Sequence, residues 1–206
     1  MKPAIAGLYA ITPDWGDTAR LILAVRQAIA GGARIVQYRN KTADGALRLE
    51  QALALSAVCA RDGATFIVND HVDLALAVDA DGVHLGATDG DLAAARQRLG
   101  RGKRIGASCY DSMDLARTAL AAGADHVAFG SAFASSTKPA AVRAPHSLYA
   151  AAGVLDVPVV AIGGINHANA AQVIAAGAHA IAVISDLFDA PDIRARARQF
   201  STLFRS

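Results

Sequence analysis

The hexapeptide VQYRNK, residues 36–41, combines a β-branched start with long polar side chains at every second position. If this segment is a β-strand, Gln37, Arg39 and Lys41 share one face, because successive side chains of a strand point to opposite sides. An amide and two cations on one face meet either water or an anionic ligand. The spacing therefore marks the segment as a candidate wall of an anion-binding site.

Two aspartates follow other apolar segments that are rich in β-branched residues. Asp70 comes directly after FIVN, next to Asn69, and Asp89 lies in the loop after GVHL. Each aspartate could simply cap the helix that follows it. Together, two carboxylates on adjacent strand ends can hold one Mg²⁺, which uses one or two protein carboxylates and fills its shell with water and phosphate oxygens. We therefore expect Mg²⁺ at Asp70 and Asp89, beside the cations Arg39 and Lys41, which suit a pyrophosphate group.

A second candidate anion site follows the segment AIGGIN at 161–166. We expect a helix to begin near Asn166, so that backbone N–H groups and the close approach allowed by Gly164 can bind phosphate. Ser108 ends another apolar segment on the same expected rim, and the SSTK segment at 135–138 is a weak signal because Ser and Thr are common in loops. Cys109 and His84 are interpreted as packing residues.

A repeated phrase supplies the framework for these polar residues. Ala-rich helical segments end in Gly-Ala or a similar pair, and a short strand rich in β-branched residues follows each of them. The predicted strands are Leu8–Thr12, Ile35–Arg39, Phe66–Asp70, Gly82–Leu85, Arg104–Ser108, His126–Gly130, Pro158–Gly163 and Ala180–Ser185. Eight βα units with right-handed crossovers predict an α/β protein, a single (β/α)8 TIM barrel that spans residues 1–206 as one catalytic domain.

The alternative architecture is a doubly wound open sheet. Such a sheet usually carries a glycine-rich dinucleotide fingerprint after its first strand, whereas this chain has TPDWGDTAR there. The barrel is therefore favoured, and its active site is expected at the carboxyl ends of the strands. The candidate polar residues collect at that rim.

Composition excludes several classes of partner. The 206 residues are 53% hydrophobic and 5% aromatic, and the net charge of +2 is too small to indicate binding of nucleic acid. No apolar run reaches about 18 residues, so no membrane span is expected. Two cysteines, Cys59 and Cys109, imply no disulfide framework. The N-terminus is not typical of a signal peptide, and we expect a cytoplasmic protein.

The chain as a whole resembles the thiamine-phosphate synthase family. The matching segments run in order from Gly7 to Ser185 and read GLYAITPD, VQYRNK, FIVNDHVDLALAVDADGVHLG, IGASCY, GADHVAFGSAFASSTKP, PVVAIGGIN and AGAHAIAVIS. The resemblance implies a Mg²⁺-dependent transferase of an alkyl group with two small phosphorylated substrates. Such an enzyme would join 4-amino-5-hydroxymethyl-2-methylpyrimidine diphosphate (the pyrimidine diphosphate) to 4-methyl-5-(2-phosphoethyl)thiazole (the thiazole phosphate). Pyrophosphate leaves in a dissociative substitution.

The resemblance also implies a role for each matching residue. Asp70 and Asp89 would bind Mg²⁺. The pyrimidine diphosphate would be bound by Gln37, Arg39, Lys41, Asn69, Ser108 and Lys138, of which Arg39, Lys41, Ser108 and Lys138 would be catalytic. The thiazole phosphate would be bound by Ser135, Ser136, Thr137, Gly164, Ile184 and Ser185.

The chain departs from the usual family pattern at three of these segments' positions. Tyr38 stands where the family usually has Leu, Asn40 where it has Glu or Asp, and Ser135 where it has Thr. The change at Ser135 removes one methyl group and is expected to weaken binding of the thiazole phosphate only mildly. Tyr38 and Asn40 are expected to face the surrounding helices, opposite Arg39 and Lys41, so that exchanges there act mainly on stability.

Two other functions compete with the synthase. The sister family of thiazole tautomerases shares the barrel and one phosphate site but does not need the diphosphate half. A non-catalytic protein that binds thiamine precursors would take either ligand and release no pyrophosphate. The synthase is favoured by the joint presence of Gln37, Arg39, Lys41, Asn69, Asp70, Asp89 and Lys138. The oligomeric state is left open, since a monomer and an oligomer both fit the sequence.

Overall fold

Eight parallel strands close into a barrel in the computed structural model, which describes residues 5–86, 89–134 and 143–204. Each strand pairs with its neighbours along the chain, and the first pairs with the last through Gly7 and Ala180. The strands are β1 Gly7–Ile11, β2 Ile35–Tyr38, β3 Thr65–Asn69, β4 Gly82–Leu85, β5 Arg104–Tyr110, β6 His126–Phe129, β7 Val159–Ile162 and β8 Ala180–Val183. The predicted (β/α)8 TIM barrel is confirmed, and the open sheet is excluded by the pairing of β1 with β8.

Helices surround the barrel, and five of them begin at a residue whose side chain caps the helix. Asp17, Asp44 and Ser112 each accept a hydrogen bond from a backbone N–H in the first turn that follows. The helices are α1 Thr18–Ala30, α2 Gly45–Asp62, α3 Val72–Ala77, α4 Leu92–Leu99, α5 Met113–Ala121, α6 Ser147–Ala151, α7 Ala170–Ala175, α8 Ser185–Phe188 and α9 Ile193–Thr202. A short 3-10 helix, Ala152–Leu155, follows α6. None of the helices in the described residues is long and apolar enough to span a membrane.

In the repeated sequence phrase, a residue in the left-handed backbone conformation follows the helix. Gly63 ends α2 in the left-handed region at φ 76°, where glycine avoids the cost that a side chain would add. In the phrase AVDADGVHL the left-handed residue is instead Asp79, at φ 50°. Gly82 is needed there for another reason, because a Cβ at this position would lie 2.3 Å from the carbonyl oxygen of Arg104 on the next strand.

Six of the eight strands contribute to two separate apolar clusters, whereas β4 and β5 contribute only to the outer one. The barrel interior is filled by a small cluster that includes Tyr9, Ile35 and Ile67, while a large cluster between barrel and helices includes Val36 and Tyr38. Residues 35 to 38 therefore alternate between the two layers, as the strand period requires. Tyr38 faces the helices, as predicted.

Several predicted boundaries are corrected. Five strands, β1, β2, β3, β6 and β7, end one residue before the predicted end, and β8 ends two residues before it. Strand β5 instead runs two residues longer, to Tyr110. The helix expected near Asn166 begins only at Ala170, because a turn at residues 167–169 comes first. In that turn Asn166 and Asn169 each accept a hydrogen bond from the other's backbone N–H, at 3.1 and 2.8 Å.

Candidate active site

A cavity of about 650 Å³ opens at the carboxyl ends of the strands. Ten of the predicted site residues line it, namely Gln37, Arg39, Lys41, Asn69, Asp70, Asp89, Ser108, Gly164, Ile184 and Ser185. Ser135, Ser136, Thr137 and Lys138 lie outside the described residues. Ala134, the residue directly before them, lines the same cavity. Residues from distant parts of the sequence thus meet at one rim of the barrel.

The two aspartates expected at a metal form a contact pair. Partial burial and, after it, the neighbouring Asp89 carboxylate raise the pKa of the Asp70 carboxyl group, although Lys41 acts in the opposite direction. Neither aspartate caps a helix, since α3 begins after His71 and α4 after Asp91. A pair of carboxylates that disfavours its own full ionisation is a place where a cation is stabilising. Among the described residues no group of three or more His, Cys, Asp or Glu side chains could hold a metal, so two carboxylates are the acidic ligands available.

Two cations of the segment that follows β2 line the same cavity, and one of them, Lys41, contacts the carboxylate pair. The Nζ of Lys41 lies 3.2 Å from Oδ2 of Asp70. The Arg39 guanidinium lies 3.0 and 3.1 Å from the two carboxylate oxygens of Asp14, and Asp14 also accepts a hydrogen bond of 2.8 Å from the Lys41 backbone N–H. Asp14 thereby fixes both the side chain of Arg39 and the backbone of Lys41. Two cations thus line the same cavity as Asp70 and Asp89, and each has a carboxylate partner, Asp14 for Arg39 and Asp70 for Lys41.

The floor of the cavity is polar and uncharged. Gln37 donates a hydrogen bond of 2.8 Å from Nε2 to the Tyr9 hydroxyl, which leaves its amide oxygen as an acceptor. The Nε2 of His84 lies 2.9 Å from the Ser108 hydroxyl oxygen. Burial lowers the pKa of His84 to about 4, so its imidazole is neutral near pH 7. This floor suits a neutral heterocycle with donors and acceptors on its edge.

The Gly163-Gly164 turn has a packing reason as well as room for a ligand. Both residues have positive φ, 96° and 63°. A Cβ at Gly164 would lie 2.3 Å from the carbonyl oxygen of Ala134, and a Cβ at Gly163 would lie 2.3 Å from the Ser131 hydroxyl oxygen. The glycines therefore let the loops after β6 and β7 pack together.

The end of β8 completes the cavity opposite the carboxylate pair. Ile184 and Ser185 line the cavity at the start of α8, and Asp186 follows them. The Asp186 carboxylate accepts a hydrogen bond of 3.1 Å from the His167 backbone N–H and pairs with Arg196. This arrangement holds the loop after β7 against the start of α8.

Sequence reasoning missed several residues of this rim. Asp14 lies in the segment TPD after β1. Its position could have been recognised because, like Asp70, it is an acidic residue just beyond the end of a strand. Tyr9, which is buried, and Tyr110, which is 42% exposed, both line the cavity, but neither stands out in the sequence. Cys109 is fully buried and burial raises its thiol pKa to about 12, which agrees with its interpretation as a packing residue.

Comparison with known proteins identifies the family. A family model described as "Thiamine monophosphate synthase" matches residues 8–187. The thiamine-phosphate synthase of Chromobacterium violaceum is 56% identical over 204 residues, covering 99% of each chain, and that of Methylobacillus flagellatus is 57% identical over 98% of this chain and 97% of that one. The solved structure of thiamine phosphate pyrophosphorylase from Pyrococcus furiosus is 36% identical, with a TM-score of 0.86 over 97% of this chain and 96% of that chain. The chain therefore belongs to the thiamine-phosphate synthase family.

Proposed function

We propose that this enzyme joins the pyrimidine diphosphate to the thiazole phosphate and releases pyrophosphate. The observation that carries the proposal is the set of charges at one rim, where Arg39 and Lys41 stand beside the contact pair Asp70 and Asp89. A diphosphate needs cations and a metal site together, and a tautomerase of the sister family needs neither. The family relationship supports the same reaction.

The pyrimidine diphosphate fits the half of the cavity between β2 and β5. The Gln37 amide oxygen and the Ser108 hydroxyl on the floor would bind the edge of the aminopyrimidine ring. Arg39, Lys41 and Asn69 would bind the diphosphate above it, and Lys138, outside the described residues, would be a further cation for the leaving group. Each charge-assisted hydrogen bond of this kind contributes about 1.5–3 kcal/mol.

The carboxylates of Asp70 and Asp89 would hold one Mg²⁺. Their mutual contact and the raised pKa of Asp70 fit a divalent cation, and hard oxygen ligands are the ones that Mg²⁺ prefers. When bound, the ion supplies positive charge against the diphosphate oxygens. Because only two acidic ligands are available among the described residues, binding of Mg²⁺ to the free protein should be weak. Calorimetry that shows tight binding of Mg²⁺ without diphosphate would contradict this assignment.

The thiazole phosphate fits the opposite half of the cavity. Gly164, Ile184 and Ser185 line that half, and Ser135, Ser136 and Thr137 of the loop after β6 would join them. A phosphate held there keeps the thiazole ring facing the pyrimidine methylene group. Holding two reactants in this way replaces a bimolecular encounter by a nearly unimolecular step.

The reaction follows from these positions. The C–O bond between the pyrimidine methylene group and the diphosphate breaks, and its electron pair leaves on the diphosphate oxygen. The aminopyrimidine ring delocalises the positive charge that develops at the methylene carbon, and the thiazole nitrogen donates its lone pair to form the new C–N bond. Arg39 and Lys41 stabilise the leaving charge. The attacking nitrogen carries no proton, so no general base is needed, which agrees with the neutral His84.

Release of pyrophosphate tests the proposal against both alternatives. The purified protein is incubated with Mg²⁺ and both substrates, and pyrophosphate is assayed. The synthase releases pyrophosphate only when both substrates are present, whereas a tautomerase or a non-catalytic binding protein releases none. We also propose that the enzyme is cytoplasmic and can form an oligomer, which cell fractionation and sedimentation would test.

A further inference from the structure

A buried network of amide groups lies behind the loop that carries Arg39 and Lys41. Asn40 is only 6% exposed, and both the Nδ2 and the Oδ1 of its side-chain amide form hydrogen bonds. Its Oδ1 accepts hydrogen bonds from the backbone N–H groups of Thr42 and Ala43, at 3.1 and 3.0 Å, which closes the loop on itself. Its Nδ2 donates to the carbonyl oxygen of Trp15, at 3.0 Å, and to Oε1 of Gln51, at 3.1 Å.

Gln51 is the centre of this network. It lies in α2, is fully buried and does not line the cavity. Its Nε2 donates a hydrogen bond of 2.9 Å to the Trp15 carbonyl oxygen, and its Oε1 accepts from Asn40 and, at 2.9 Å, from the Tyr38 hydroxyl. One buried side chain thus joins the loop after β1, the end of β2 and the loop after β2.

The network adjoins the groups that hold the cations. Trp15, whose carbonyl receives two N–H donors, directly follows Asp14. Asp14 is the residue that pairs with Arg39 and accepts from the Lys41 backbone N–H. Asn40 lies between these two cations in the chain. A shift of the Trp15 carbonyl or of Asn40 would therefore move Asp14, Arg39 and Lys41 together.

We infer that Gln51 is a positioning residue for the diphosphate half of the site, acting through Asn40 and the Trp15 carbonyl on Arg39 and Lys41. The inference rests on the proposed function for the identity of the diphosphate substrate. Gln51 touches no substrate, and its effect should fall on one substrate and not on the other. Thr12 adds to the same framework, because its hydroxyl bonds to both the backbone N–H and the carbonyl oxygen of Arg39, each at 2.9 Å.

Two variants separate positioning from mere packing. Gln51→Met keeps the length of the side chain and removes its hydrogen bonds to the Trp15 carbonyl, Asn40 and Tyr38. Tyr38→Phe is the matched control, since it removes only the hydrogen bond from the Tyr38 hydroxyl to Gln51 and leaves those that join Gln51 to the Trp15 carbonyl and Asn40. We expect Gln51→Met to raise the KM for the pyrimidine diphosphate about three- to tenfold and the KM for the thiazole phosphate less than twofold. Tyr38→Phe should change both KM values less than twofold, even where the melting temperature falls.

The contrary result is equally clear. If Gln51→Met and Tyr38→Phe lower the melting temperature and neither changes the ratio of the two KM values, Gln51 is only a packing residue. If both KM values rise equally, Gln51 does not act on the diphosphate half.

Trp15 gives a second readout, and because it is the single tryptophan of the chain, the emission reports on this position alone. The measurement uses the unmodified enzyme, so it does not depend on the folding of a variant. Inorganic pyrophosphate with Mg²⁺ is titrated into the unmodified enzyme, with binding followed independently by calorimetry. We expect a saturable change of tryptophan emission at the same midpoint. Binding without any change of emission would contradict the coupling of Trp15 to the diphosphate half. An enzyme that binds pyrophosphate yet forms no product would overturn the proposed function. The inference on Gln51 is then tested by whether Gln51→Met weakens the binding of pyrophosphate.

Discussion

The Nζ of Lys41 lies 3.2 Å from Oδ2 of Asp70, and burial together with the neighbouring Asp89 carboxylate raises the pKa of Asp70. The ammonium group offsets part of the repulsion between the two carboxylates. A divalent cation at the carboxylates would offset that repulsion more strongly and leave Lys41 for the diphosphate. The same three residues thus explain how a metal site and a cationic site can share one rim.

Asp70→Asn should separate stability from activity. Burial and the contact with Asp89 raise the pKa of Asp70, so the folded protein disfavours its ionised form at neutral pH. Removing that charge should leave the melting temperature in metal-free buffer unchanged or higher, whereas loss of a metal ligand should lower kcat/KM at least tenfold. Thermal melts and steady-state kinetics measure the two effects.

Asp114→Asn is the control, because Asp114 is 92% exposed on α5. It should change neither quantity. A melting temperature well below that of the parent for Asp70→Asn would show that the carboxylate is structurally required and that its electrostatic assignment is wrong.

Arg39→Ala and Lys41→Ala should each lower kcat/KM about tenfold to a hundredfold, the factor that corresponds to a charge-assisted contact of about 1.5–3 kcal/mol. Arg26→Ala is the matched control, since it removes an exposed cation of α1 that pairs with Asp62 at 3.8 Å. It should change kcat/KM less than twofold. Equal losses in all three variants would mean that net charge, and not contact with the diphosphate, explains the effect.

From the sequence, an exchange at Asn40 is expected to act mainly on stability, whereas the structure predicts that it also affects substrate binding. Asn40→Glu restores a usual family residue, but it places a carboxylate against the carbonyl oxygen of Trp15 and Oε1 of Gln51, where Nδ2 of Asn40 now donates. We expect both a lower melting temperature and a higher KM for the pyrimidine diphosphate. An unchanged KM would show that the loop tolerates reorganisation of this network.

The sequence predicts the barrel, the alternation of faces in β2 and the rim on which the polar residues meet. Each of these follows from local periodicity or from the geometry of parallel strands. The partner of Asn40 could not be predicted, because Gln51 lies on the far side of a helix boundary and only the packing of α2 brings it close. The packing role of Gly164 could not be predicted either, because the Ala134 carbonyl oxygen that leaves no room for a Cβ at Gly164 belongs to another loop.

Ser185→Asp tests the thiazole-phosphate half more cleanly than a change at Gly164, which would disturb the packing against the loop after β6. A carboxylate at the start of α8 should repel the phosphate and raise the KM for the thiazole phosphate at least fivefold more than the KM for the pyrimidine diphosphate. Gln199→Glu, on the exposed face of α9, adds the same charge away from the cavity and should change neither KM. If Ser185→Asp raises both KM values equally, the thiazole phosphate does not bind there.

Stability should fall on acidification through two histidines inside the barrel. Burial lowers the pKa of His84 to about 4 and, aided by His84 and Arg104, that of His126 to about 3. Below pH 6.5 the unfolded chain protonates these rings while the folded protein does not. The free energy of unfolding then falls as pH falls, by up to about 1.4 kcal/mol per pH unit for each ring.

His126→Leu should remove one of these two contributions. Urea denaturation between pH 7 and pH 5 measures it, and the variant should lose less stability than the parent over this interval. An identical dependence on pH in both proteins would show that His126 takes up its proton in the folded state as readily as in the unfolded chain.

The most direct test of the whole account measures pyrophosphate and thiamine phosphate in the same incubation of the purified enzyme with Mg²⁺ and both substrates. The account predicts that the two products appear in equal amounts and at equal rates, that omission of either substrate abolishes both, and that Asp70→Asn slows both to the same extent. Pyrophosphate that forms without the thiazole phosphate, or a protein that binds both substrates and forms neither product, would contradict it.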